Sequence, residues 1–366
     1  MVYIGAVGIS KPPNTITQSE AKQFIQQMFD RHAKKKIERL LPVFDNAKIE
    51  ERQIVVEKEW FEKTRSFHEA NEVYVQNAIE LSLRAIDNCL HDERLKNEIP
   101  YEAIDMIIFV SSSGIATPSI DAHLLNYRSF REDIKRMPLW GLGCAGGAIG
   151  ISRGFEWVKL HPKKTALVIS AELCSLTFQK NDLSTSNIVG TALFGDGVAA
   201  TLLIGSQSKY KNYINSPALK IISTSSFTKK DTLHIMGWNV VETGLEVIFS
   251  RRIPKLVKSV WKDHVHSFLS NHSLTMKDVS LLIAHPGGRK VLEEMENSLQ
   301  IDRHFLRFSY DVLAKHGNMS SATVMYVLEK TLLFAKMNAY HEKKAILSAL
   351  GPGFSSELIL MEWMDG

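Results

Sequence analysis

The chain has 366 residues, 45% hydrophobic and 23% charged, ordinary globular material for two core-bearing halves or one large composite domain. Its formal charge of +4, from 44 basic against 40 acidic residues, is scattered rather than gathered into an arm or stripe, which argues against nucleic acid as a partner. Three cysteines (Cys89, Cys144, Cys174) are too few and too irregular for a disulfide framework or a zinc site and fit a reducing, cytoplasmic setting, and no run approaches the roughly 20 apolar residues of a membrane span.

The first residues, MVYIGAVGIS, read as a short strand entering the turn Lys11-Pro12-Pro13, without the charged and apolar stretches of a signal peptide. Thr17 and Glu20 have capping-box spacing and open the first helix of a charged, helical region, in which Lys34, Lys35 and Lys36 read as a solvated face. Short runs apolar on both faces follow at 104–110, 136–143, 165–170 and 198–204, separated by helical segments such as 72–91. This alternation predicts an α/β protein with buried parallel or mixed sheet strands.

The second half replays the first. Asp105 leads the strand IDMIIFV and Asp278 leads DVSLLIA, and each ends in a small-residue turn, SSSG at 111–114 and HPGG at 285–288. Cys144 and Asn318 then follow at nearly equal spacing and each opens a helix, and the segments HPKKTALVIS from His161 and HEKKAILSAL from His341 match after those helices. We read two related α/β halves, 1–210 and 211–366.

The segment GLGCAGGAIG at 141–150 runs from a strand into a small-residue helix with Cys144 at the junction. Backbone N–H groups at a helix start favour thiolate over thiol, so Cys144 is the candidate nucleophile, while Cys89 and Cys174 read as packed thiols. The same residues also fit a dinucleotide fingerprint at Gly141, Gly143 and Gly146. Two strands already precede it, however, and the next acidic residue after a strand, Glu172, lies too far on.

His285, at a strand end, and Asn318, placed opposite Cys144 by the duplication, are the candidate partners. Both side chains can donate to a developing oxyanion or enolate, and the imidazole can hold Cys144 as thiolate. His264 and His266 have no companions at ligand spacing and read as solvated.

GLGCAGG at 141–147, ALFGDG at 192–197, HPGG at 285–288, GNMSSA at 317–322 and ALGPGF at 349–354 resemble, in order and spacing, the type III polyketide synthases related to chalcone synthase. The resemblance spans nearly the whole chain and is closest to the bacterial branch that makes alkylpyrones and alkylresorcinols from fatty acyl-CoA. It implies a thiolase-like fold, five-layered αβαβα with two pseudo-duplicated halves, and a homodimer. It further implies Cys144 as acyl carrier, His285 and Asn318 as the pair that promotes malonyl decarboxylation, and Phe194 as gatekeeper between CoA tunnel and cavity. Gly351 and Gly353 of ALGPGF are implied at the substrate site. Acyl-CoA and malonyl-CoA are the implied substrates, with no metal or organic cofactor.

The sequence departs from the plant pattern at several places. Val247 stands where a second gatekeeper phenylalanine is expected, implying a wider throat. Thr117 stands at the position reaching the partner subunit's cavity, and Cys174 at a cavity-lining threonine, with Thr177 retained nearby. Of the basic residues for CoA phosphates, Arg39 aligns, while two positions read Pro42 and Asn46. This leaves CoA or carrier-protein delivery open. An initiating ketoacyl-carrier-protein synthase and a non-catalytic binding protein of the same fold remain alternatives.

Overall fold

The computed structural model describes residues 1–28, 34–337 and 344–364. Nine strands form one mixed sheet: β1 (Val2–Ser10), β2 (Met106–Ser111), β3 (Lys135–Trp140), β4 (Thr165–Leu173), β5 (Asp196–Gly205), β6 (Ala218–Thr228), β7 (Val279–Ala284), β8 (Lys344–Gly351) and β9 (Ser355–Met364). Their order is β7-β8-β9-β6-β1-β5-β4-β2-β3.

From the centre outward the pairing repeats. β1 with β5 and β6 with β9 are antiparallel, as are β5 with β4 and β9 with β8, and then β4 with β2 and β8 with β7 are parallel. The two sets meet at a short antiparallel contact, Val2 to Ile4 against Ile221 to Leu219. In this repeat the SSSG and HPGG turns follow equivalent strands, β2 and β7. His341, the start of the second matching segment, lies outside the described residues.

Seven helices matter for the layering: α1 (Phe67–Leu90), α2 (Gly146–Leu160), α3 (Thr185–Leu193), α4 (Lys262–Ser270), α5 (Arg289–Leu299), α6 (Arg307–His316) and α7 (Thr323–Met337). Every residue of β4 is buried, because alternate side chains serve two layers. Leu167 and Ile169 pack outward with Tyr74, Leu81 and Ile86 of α1, while Ala166 and Val168 pack inward with Ile151 and Phe155 of α2. That inner cluster continues through Val324 and Leu328 of α7 to Leu281, Ile283 and Leu347 of the second half. On the far side Leu282 and Ile346 meet Val265, Phe268, Leu292 and Met295 of α4 and α5. The result is the five-layered αβαβα arrangement, with α2 and α7 in the middle layer.

The Thr17–Glu20 capping box forms: the Thr17 N–H donates to Glu20 Oε2 at 2.8 Å and the Glu20 N–H to Thr17 Oγ1 at 3.2 Å. Two expectations are corrected. The strand expected at 136–143 stops at Trp140, and it is an edge strand paired to β2 alone, with Trp140 51% exposed. Its apolar residues gave a pattern like a buried strand, but Lys135, Arg136 and Pro138 are the residues an open edge carries. His264 is buried rather than solvated, held between the hydroxyls of Ser225 and Ser356 at 2.9 Å each, and burial lowers its pKa to about 4. His266 is exposed, as expected. Among the described residues no helix is long and apolar enough to cross a membrane.

Candidate active site

After Trp140 the chain passes through Gly141 and Gly143 into a 3₁₀ turn, Gly143–Ala145, before α2 begins at Gly146. Cys144 therefore sits in the turn preceding the helix, not on its first residue. Gly143 has φ +48°, and a Cβ there would lie 2.6 Å from the Pro352 ring, so both backbone and space require glycine. Gly351 abuts Leu142 and Ala145 in the same way, and the Gly353 carbonyl accepts from the Thr232 hydroxyl. Gly351 and Gly353 thus belong to the loop that backs the Cys144 turn.

The second half supplies the partners from two directions. His285 follows β7, with its backbone N–H donating to Ser348 O at 2.8 Å. Asn318 sits between α6 and α7. A Cβ at Gly147 would lie 2.2 Å from Ser321 O, so this close approach of α2 to the Asn318 loop needs glycine. The Cys144 sulfur donates to Asn318 Oδ1 at 3.9 Å, and that oxygen also accepts from Ser320 N at 2.9 Å. The amide nitrogen has only a long contact, 3.4 Å, to Gly287 O and is available to a substrate oxygen.

The electrostatics correct one expectation. Burial pushes the Cys144 thiol up to about 11, with Ser320 and Asn318 drawing it back and Glu172 adding to the rise. His285 is 2% exposed, both its ring nitrogens lack a hydrogen-bond partner, and burial lowers its pKa to about 3. Burial thus favours the neutral thiol and the neutral imidazole against the pull of the helix start, and no hydrogen bond joins the two side chains among the described residues. A neutral imidazole still offers one acceptor for the thiol proton and one donor for an oxyanion.

Behind the thiol lies a buried carboxylate to which sequence reasoning gave no role. Glu172, at the end of β4, accepts from Ser112 N at 3.1 Å, Ser112 Oγ at 2.9 Å, Ser113 Oγ at 2.6 Å and Ser321 Oγ. Burial raises its pKa. The run Ser111-Ser112-Ser113 facing an acidic strand end was the available signal.

Beside the nucleophile a cavity of about 60 Å³ is lined by Phe194, Cys174, Thr177 and Val247 together with Phe24, Phe61 and Phe178. Cys144, His285 and Asn318 are not part of its lining. Cys174 is buried, with its thiol well above the ordinary range, and the Thr177 hydroxyl is spent on Cys174 O at 2.8 Å. Cys89 is a buried, packed thiol in α1.

Val247 lies on the hairpin strand Gly244–Phe249, directly opposite Trp238 on Met236–Val241. Opposed residues share a face, and the Trp238 ring stands 5.7 Å from that of Phe194. Trp238 thus brings a ring beside Phe194 on the face that Val247 shares, while Val247 and not Trp238 lines the cavity. Thr117 is exposed on the loop after β2, and Arg39 is exposed on the helix Lys34–Leu40. Neither lines the cavity.

Two family models match, Chalcone and stilbene synthases, N-terminal domain, over residues 1–208, and the C-terminal domain over 221–364. A Bacillus subtilis protein provisionally named a chalcone synthase is 44% identical over 370 residues, covering 100% of both chains. An alpha-pyrone synthesis polyketide synthase-like protein of Mycobacterium tuberculosis is 26% identical, covering 99% of this chain and 91% of its own. Among solved structures, 1,3,6,8-tetrahydroxynaphthalene synthase of Streptomyces coelicolor, a bacterial type III polyketide synthase, matches with a TM-score of 0.88 at 26% identity over 100% of both chains.

Proposed function

The chain belongs to the chalcone and stilbene synthase family as a type III polyketide synthase, and from that premise we propose that its starter is a long-chain fatty acyl group. In this reading the acyl group passes from acyl-CoA to Cys144, is extended by decarboxylative condensation with malonyl-CoA, and is cyclised to an alkylpyrone or alkylresorcinol. One observation carries the choice of an alkyl starter: the cavity at Phe194 is walled by Ile16, Phe24, Ile54, Phe61 and Phe178, and a long chain must widen its volume of about 60 Å³ to enter. Each buried methylene contributes about 0.8 kcal/mol, so such a wall favours alkyl chains. The Mycobacterium relative, named for alpha-pyrone synthesis, supports the same product class.

The chemistry assigned to the three residues follows from their atoms. His285 accepts the Cys144 proton as sulfur attacks the acyl thioester and the CoA thiol leaves. Carbon dioxide then departs from malonyl-CoA, and the enolate oxygen is held by the Asn318 amide and the His285 N–H. The enolate carbon attacks the acyl-Cys144 carbonyl and transfers the chain to the incoming thioester. CoA thioesters enter as substrates, and the reading calls for no metal or organic cofactor.

The reading includes a cytoplasmic homodimer with Thr117 near the partner's cavity. Its support is the exposure of Ile115 (46%) and Trp140 (51%) beside that loop. The test is incubation with malonyl-CoA and an acyl-CoA length series, followed by product mass spectrometry. Several extensions with ring closure, best with long starters, are expected. A single extension would instead indicate an initiating ketoacyl-carrier-protein synthase, and preference for a short starter would overturn the choice of substrate.

A further inference from the structure

The cavity wall contains one residue whose chemistry does not match its surroundings. Arg52 stands on the short strand Glu51–Ile54, directly opposite Ile16 of Asn14–Thr17. Alternation sends Arg52 and Ile54 to the cavity, where Ile16 joins them, and sends Gln53 the other way to His316 Nδ1 at 2.6 Å. A guanidinium thus occupies a position that the pattern reserves for an apolar side chain.

Arg52 is 2% exposed. Its Nη1 donates to Ala192 O at 2.9 Å, while its Nη2 has no partner. Asp196 is the charged group that acts on it from the neighbouring β5, but its carboxylate is occupied by Val55 N at 2.9 Å, Ser175 N at 2.7 Å and the Ser175 hydroxyl. No ion pair joins Arg52 and Asp196 among the described residues. Arg52 lines the cavity, and a buried donor without a partner in such a wall is a place that a ligand acceptor can satisfy once it enters. The Arg52 stem also runs beneath the gate: Cβ atoms at Gly195 and Gly317 would lie 3.1 Å and 3.7 Å from Arg52 Cβ. Those residues adjoin Phe194 and Asn318.

We propose that the free Nη2 of Arg52 anchors the enolised 1,3-dicarbonyl oxygens of the extended chain. Each extension leaves a ketone two carbons from the thioester, and the methylene between the carbonyls loses its proton to solvent to give an enolate shared over two oxygens. That delocalised anion matches a weakly hydrated guanidinium, and the apolar walls of Ile16, Ile54 and Phe178 strengthen the attraction. The anchor holds the keto segment inside the gate while the alkyl end packs against the aromatic wall. Burial lowers the Arg52 pKa only to about 10, so the group remains cationic at neutral pH.

The inference rests on the polyketide reading, but its test requires no turnover. The probe is 2,4-pentanedione, titrated with pH on the Cys144→Ala protein while its enolate absorbance is followed. The bound probe is expected to ionise at least about one pH unit lower than the free compound. That shift should vanish with Arg52→Gln added and return in part with Arg52→Lys. A shift that persists in a folded Arg52→Gln protein overturns the proposal, and so does absence of binding or of any shift in the Cys144→Ala protein, even if the Arg52 variants do not fold. Failure of the acyl-CoA assay alone would sink the polyketide reading and leave this measurement standing.

Discussion

Phe194 and Asn318 are held in register by two backbone hydrogen bonds: Asn318 N donates to Leu193 O at 2.8 Å, and Gly195 N donates to Asn318 O at 3.1 Å. The residue assigned to the gate and the amide assigned to the enolate therefore move as one unit, bridging the two halves of the chain.

With the Asn318 amide nitrogen held only by a long contact and both His285 ring nitrogens without a partner, Asn318→Ala and His285→Ala are each expected to lower malonyl-CoA decarboxylation by about 10²–10³. Acyl loading onto Cys144, which needs the base but not the amide, should suffer less in Asn318→Ala. Radiolabelled carbon dioxide release and acyl-enzyme mass report the two steps separately. Full-speed decarboxylation by Asn318→Ala would remove the assigned role.

The thiol makes a prediction about pH. Because burial raises the Cys144 pKa to about 11 and leaves His285 neutral, the thiolate fraction is small at neutral pH and grows about tenfold per unit as pH rises. Iodoacetamide labelling of the unliganded enzyme should climb accordingly, at Cys144 before the fully buried Cys89 and Cys174. Since Glu172 adds to the rise, Glu172→Gln should move the profile to lower pH. A plateau already reached near neutrality would mean that a thiolate–imidazolium pair exists, contrary to this geometry.

Much of this site was legible in the sequence, for identifiable reasons. Cys144, His285 and Asn318 stand out because the chain repeats itself and because small-residue turns such as HPGG end its strands. β4 was readable because it is buried on both faces. β3 was overread, since Trp140 at an open edge looks like a core residue in one dimension. Trp238 was invisible because its relation to Phe194 exists only through the hairpin register opposite Val247. Arg52 was missed for a similar reason: only pairing with Ile16 reveals that a charge faces the apolar side.

The Gly147 contact supplies a structural prediction. A methyl group there would meet Ser321 O at 2.2 Å, so Gly147→Ala must push α2 away from the Asn318 loop. A loss of about 1–3 kcal/mol in stability is expected, measured by denaturant unfolding. Condensation should fall more steeply than acyl loading, because the displacement separates Cys144 from Asn318. Equal, mild losses in both would show that the loop follows the helix.

The throat yields the final prediction. Val247 packs within reach of Gly190, where an added Cβ would lie 3.4 Å from its Cγ1 and 3.2 Å from the Phe194 ring. A ring at position 247 must therefore share space with Phe194 and with the Trp238 ring already there. Val247→Phe is expected to cut kcat/KM for a long fatty acyl-CoA far more than for a short starter, since overfilling penalises the chain that must thread the passage. Trp238→Ala should act in the opposite sense, relaxing discrimination toward bulkier starters, and the double variant should recover part of the long-chain activity because the two changes trade volume in one place. The measurement is the ratio of specificity constants for a long and a short starter across the four proteins. If Trp238→Ala leaves that ratio unchanged while Val247→Phe alters it, the tryptophan ring merely stacks on Phe194. If neither alters it, chain length is set deeper in the cavity, at Cys174 or Thr177.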